Sequence, residues 1–171
     1  LLWVRGNVFI PDARVFWVKP SVTFLKRYLK EHQIDTIITT GPPHSLHLIG
    51  LQLKKELNIT WLADFRDPWT TIGYHKQLKL SSWASNKHKI LEQKVMSSCD
   101  QLIVTSPSTK AEFESITSKP IAVITNGYDV EKVVKKSLDE KFTLAHIGSL
   151  LSARNPIILW KALQELIAEN R

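Results

Sequence analysis

The stretch Asp64-Phe65-Arg66-Asp67-Pro68-Trp69 sets two carboxylates, a guanidinium and an indole within six residues. Trp61, Leu62 and Ala63 before it read as the end of an interior strand. A carboxylate there can hold sugar hydroxyls or take a proton. Arg66 can orient that carboxylate or meet an anion, and Trp69 can stack on a ring. The plainer alternative is structural: an Arg between two carboxylates forms an ion pair that fixes the loop, since the guanidinium fork suits bidentate partners.

Three further stretches carry similar weight. In Gly41-Pro42-Pro43-His44-Ser45 a rigid turn precedes a helix, whose first free N–H groups can hold an anion or hydroxyl. His44 falls on the rim, and His47 follows one turn later on the same side. The spacing His-x-x-His does not match zinc helices, which use i, i+4 with further ligands, so no metal is expected. Asn126-Gly127 closes the run Ile121 to Thr125; it reads either as a plain turn or as a site, with Asn126 the candidate contact. In His146-Ile147-Gly148 and Arg154-Asn155-Pro156, a glycine permits close backbone approach and an arginine stands before a helix start. Gly148 and Arg154 could together hold a diphosphate. There is no phosphate-binding Gly-rich loop, no dinucleotide fingerprint and no nucleophile elbow. Cys99, the single cysteine, excludes an internal disulfide and reads as a small core residue in a reducing compartment.

These residues need elements to hold them. Val22, Leu25 and Leu29 make an apolar stripe at helical spacing in 20–31, with Ser21 as a cap. Residues 44–57, 81–98, 107–115 (capped by Ser108) and 156–169 also read as helices. Residues 35–40, 60–64, 101–105, 120–125 and 142–147 read as strands, β-branched and without polar alternation. That alternation predicts an α/β fold with a doubly wound, mostly parallel Rossmann-like sheet. Ligands of such sheets sit beyond the carboxyl ends of the strands. Four polar strand ends would then converge on one rim. The charged run 130–141 reads as a linker. We therefore expect a first domain over 1–129 that lacks its first strand, the linker, and the start of a second domain over 142–171.

The chain has 171 residues, 23 of them basic and 16 acidic, with a net charge of +7. That excess suits nucleic acid, anionic lipid or phosphorylated substrates and does not choose among them. Lys76, Lys79, Lys87, Lys89 and Lys94 face one acid, Glu92, in the stretch 75–94. The run reads as a solvated helix face, or with Trp83 as a surface that touches a membrane. No run approaches the ~18 apolar residues of a bilayer span, and the first residues lack a signal-peptide layout.

Val123-Ile124-Thr125-Asn126-Gly127-Tyr128-Asp129, followed by Phe142 to Pro156 and an apolar helix, resembles the domain junction of family 4 glycosyltransferases. The strings TGPPHSLHLIGLQLKKEL and WLADFRDPW are similar to the acceptor-side domain of a bacterial subgroup. The resemblance implies a GT-B architecture and retaining transfer of a sugar from a nucleotide-sugar donor to a glycan or lipid-linked acceptor. It implies no metal and no cofactor beyond the nucleotide-sugar co-substrate. Gly148 matches the family's diphosphate-contacting glycine and Arg154 its basic partner; Ser149 stands where an Arg is common. Asp64 and Asp67 match the strand end where relatives carry a catalytic-site His, so these two are the catalytic candidates, with His44, Arg66, Trp69 and Asn126 as substrate contacts. The family's glutamate pair would fall beyond Arg171 and its Gly-rich turn before Leu1. We thus expect a fragment that is inactive alone, from a cytoplasmic enzyme of cell-envelope polysaccharide synthesis, peripheral on the inner face of the membrane. A severed sheet would invite pairing of two copies. The alternatives are a GT-B nucleotide-sugar epimerase and a basic α/β module that grips RNA or anionic membrane. Against RNA, the basic residues show no aromatic interleaving on a strand.

Overall fold

The computed structural model describes residues 1–129, 137, 139–150 and 155–169, without the side chains of Tyr74 and Lys76. The described chain divides into two units, Leu1–Tyr128 and Asp129–Arg171. The first carries α1 (Leu2–Asn7), α2 (Val18–Glu31), β1 (Thr36–Gly41), α3 (Ser45–Glu56), β2 (Thr60–Phe65), α4 (Ser82–Ser98), β3 (Gln101–Val104), α5 (Pro107–Glu114) and β4 (Ile121–Val123). Short helices at Val15–Trp17 and Gly73–Leu78 complete it.

The four strands form one all-parallel sheet in the order β1-β2-β3-β4. This is the Rossmann-like α/β class that the strand–helix alternation demands. Thr40 pairs with Asp64, Phe65 with Val104 and Val104 with Val123, so the carboxyl ends lie level along one edge.

Trp61, Ala63, Phe65, Leu102 and Val104 alternate along their strands and are buried with Val95, Met96 and Phe113 of α4 and α5. Full burial of each Phe, Leu or Val is worth about 1.5–3 kcal/mol. The intervening residues, such as Leu62 and Asp64, face the other way, as does Ile38 of β1, which pairs with Leu62 and is 64% exposed. A second cluster joins Val18, Val22 and Leu29 of α2 to Ile49 and Leu53 of α3. The expected stripe is there, with Leu25 partly buried against it. Phe24 and Tyr28 lie outside it and stack on one another, 5.9 Å apart.

Several boundaries differ from the sequence reading. Ser21 does not cap α2, which starts at Val18; Pro20 lies in the first turn, where the missing N–H costs no helical bond. α5 is capped by Ser106, whose Oγ accepts from Thr109 N–H at 3.1 Å, and not by Ser108. Pro107 takes the first helical position, which fixes the cap one residue before it.

The second unit contains α6 (Ile157–Ala168). Residues 142–147, expected as a strand, form none and are exposed. A strand exists by pairing its N–H and C=O groups with a neighbour, and among the described residues these have none. The expected linker lies mostly outside the described residues. No helix among the described residues is long and apolar enough to cross a membrane.

Candidate active site at the carboxyl edge

Strand β2 ends where the charges begin. Asp64 sits beside the last residues of β1, and its Oδ2 accepts the Thr40 hydroxyl at 2.6 Å. Arg66 N–H continues the ladder to Gly41 O at 3.0 Å. The Arg66 guanidinium donates to Pro42 O at 2.8 Å, and Thr105 Oγ1, at the end of β3, donates to Arg66 O at 3.1 Å. Three strand ends are thereby tied together through one residue.

This corrects the expected ion pair. Among the described residues Arg66 pairs with neither Asp64 nor Asp67. Its planar fork reaches across to the carbonyl of the proline turn. Asp64 is held by a neutral hydroxyl, and Asp67 is exposed with no hydrogen bond or ion pair among the described residues. Both carboxylates are left available.

His44 is not with them. It is 4% exposed and lies on the helix-covered side, its ring parallel to that of Trp69 with centroids 4.8 Å apart. Trp69 is 1% exposed, so the indole face expected to carry a sugar is occupied by His44. Thr40 and Asp64 stand on the open face of the sheet. The proline turn separates the two groups.

The helix-covered side holds a histidine cluster. Trp69 Nε1–H donates to His88 Nδ1 at 3.1 Å. An indole nitrogen only donates, so His88 carries its proton on Nε2, directed at Gly6 O 3.4 Å away. His75 packs edge-on against His88, centroids 4.7 Å apart. His47 is fully buried, with Nδ1 2.9 Å from Thr39 Oγ1, which already accepts Trp61 Nε1–H at 2.8 Å. Burial pushes His44 down to about 4, with Asp12 opposing and His75 and His88 reinforcing. Burial, then His44, pushes His47 down to about 3. His75 falls to about 4, through burial and His88. All three are neutral at pH 7. No group of three or more His, Cys, Asp or Glu among the described residues is placed to hold a metal ion.

The free N-terminus of α3 is already taken. Asp12, 33 residues upstream, accepts Ser45 N–H at 2.8 Å and Ser45 Oγ–H at 2.9 Å, and also Arg14 N–H at 2.9 Å. The chain's own carboxylate fills the position where an incoming anion was expected. Asp12, Arg14 and Arg5 line a cavity of about 330 Å³ with Pro43, His44 and His75.

The loop after β2 is anchored from α4. Glu92 is buried and accepts Thr70 N–H at 3.1 Å and Thr70 Oγ1–H at 2.6 Å. Burial raises its pKa against those hydrogen bonds. Asp12, His75, His88 and Glu92 escaped the sequence reading. For His88 and Glu92 a signal existed: Ala84, His88, Glu92 and Val95 recur at helical spacing on the buried stripe of α4. Lys79, Lys87, Lys89 and Lys94 are exposed, as a solvated face requires, and Trp83 is 66% exposed. Asn126 is exposed beyond β4. Gly148 has φ +120°, which favours glycine. Arg154 lies outside the described residues.

Fold and edge together define a Rossmann-like α/β domain with its polar site at the carboxyl ends of parallel strands. Residues 2–132 match the family model of Glycosyltransferase Family 4, and the chain belongs to that family. No curated protein and no solved structure matches it. Family membership favours neither the epimerase nor the nucleic-acid module.

Proposed function

We propose that the chain belongs to a retaining GT-B enzyme that moves a sugar from a nucleotide-sugar to a glycan or lipid-linked acceptor. The observation that supports this most is the network at one strand edge, in a family 4 chain: Thr40 donates to Asp64, Arg66 to Pro42 O, and Thr105 to Arg66 O. In this reading the first unit takes the acceptor. Asp64, oriented by Thr40, holds a sugar hydroxyl. Asp67, free of partners among the described residues, takes the proton of the attacking hydroxyl. Arg66 fixes the turn beside them, and Asn126 borders the acceptor side.

Charge develops on the leaving diphosphate, and positioned N–H groups and cations lower that barrier. Gly148 N–H and Arg154 are assigned to it. The nucleotide-sugar is the co-substrate, and no metal takes part. The enzyme works on the cytoplasmic side of the membrane, as a peripheral protein of cell-envelope polysaccharide synthesis. In this reading acceptor binding is the measurable share of the first unit.

The test is calorimetric titration of the chain with an octyl-linked monosaccharide diphosphate. Asp64→Asn and Asp67→Asn should each weaken binding severalfold while leaving the fold intact. Unchanged affinity in both would refute the assignment.

A further inference from the structure

The cavity of about 330 Å³ on the far side of the proline turn has walls of two kinds. Arg5 and Arg14 supply two guanidinium groups, neither of which meets a carboxylate among the described residues. Arg14 lies over the ring of Trp17, 5.5 Å from its centroid, which leaves its N–H edge free. His44, 4% exposed, lines the cavity, and neither of its ring nitrogens has a hydrogen-bond partner. Pro11, Pro42, Pro43, Trp69 and Leu78 make the rest largely apolar. The one acid, Asp12, has both oxygens committed to Ser45 and to Arg14 N–H. Two free cations beside an apolar wall suit an organic phosphate: the guanidinium fork fits phosphate oxygens and the wall fits the carbon chain.

We propose that this cavity binds the phosphate or diphosphate ester of an amphiphilic acceptor, with Arg5 and Arg14 on the phosphate oxygens. The inference deepens the transferase reading and rests on it for the identity of the ligand. The cavity and the Asp64–Asp67 edge share the proline turn, since Pro42 lines the first and accepts from Arg66 at the second. A diphosphate held at the cavity therefore presents the sugar attached to it across that turn to the two carboxylates.

The experiment is calorimetric titration of the whole chain with octyl diphosphate, inorganic pyrophosphate and octanol at low salt. Octyl diphosphate should bind best. Arg5→Gln and Arg14→Gln should each weaken it about tenfold, the worth of one charged hydrogen bond. Arg14→Lys should recover part of the loss. Arg27→Gln, on α2 and paired with Glu31, should change nothing. Equal binding of inorganic pyrophosphate would assign a free anion and overturn the ester. Affinity indifferent to Arg5 and Arg14, or matched by octanol, would overturn the site. The titration reads no sugar transfer, so its failure leaves the transferase reading standing.

Discussion

Acidification should unfold this protein through its buried histidines. His44 and His47 have pKa values of about 4 and about 3, against an ordinary 6.5. A depressed pKa means that the unfolded chain takes up protons first, so the stabilisation is complete above pH 6.5 and drains away as pH falls towards the folded values. Between pH 6.5 and pH 5 each histidine costs about 2 kcal/mol, at about 1.4 kcal/mol per pH unit. His44 and His47 together cost about 4 kcal/mol, a large share of the ~5–15 kcal/mol that holds a domain folded. His75 and His88, both lowered, add in the same sense. Glu92 opposes them: its raised pKa gives stability that is full at low pH and lost as pH rises through its folded value. The assay is urea unfolding followed by tryptophan fluorescence at pH 8 and pH 5. With m near ~2 kcal/mol/M, the midpoint should drop by about 2 M. His47→Asn keeps a partner for Thr39 Oγ1 and should remove about half of that drop. Equal midpoints at the two pH values, or His47 titrating near 6.5 by NMR, would refute the reasoning.

Other substitutions test the local arguments. Ser106→Ala should cost about 1 kcal/mol as the loss of the α5 cap, while Ser108→Ala should stay within about 0.5 kcal/mol, both read by chemical denaturation. Asp12→Ala removes the acceptor of Ser45 N–H and Oγ–H and should cost about 1–2 kcal/mol, with amide exchange at Ser45 quickened. Gly41→Ala places a Cβ 2.5 Å from His47 Nε2, against a fully buried ring, and should cost about 1–3 kcal/mol in thermal unfolding.

The sheet was legible because its signals are local. β-branched and apolar runs, the Gly41-Pro42-Pro43 break and the stripe on α2 each sit within about a dozen residues. The edge bearing Asp64 and Arg66 followed from the rule for parallel strands. What stayed hidden depends on distance along the chain. Asp12 meets Ser45 across 33 residues, and no spacing announces it. The Arg66 guanidinium chose the Pro42 carbonyl over its adjacent carboxylates because the strand register places that carbonyl within reach. The turn before His44 points to the rim, yet His44 packs on Trp69 on the covered face. Residues 142–147 have the composition of a strand but no partner strand among the described residues, and composition alone does not make a ladder.

The most direct test of a sugar-handling carboxyl edge is an NMR titration of the labelled chain with octyl-linked monosaccharide diphosphate. The sugar should shift the amides of Gly41, Asp64, Arg66, Asp67 and Thr105, and its diphosphate those of Arg5 and Arg14. Shifts confined to the amino ends of the strands, at Thr36, Thr60 and Gln101, would contradict the account.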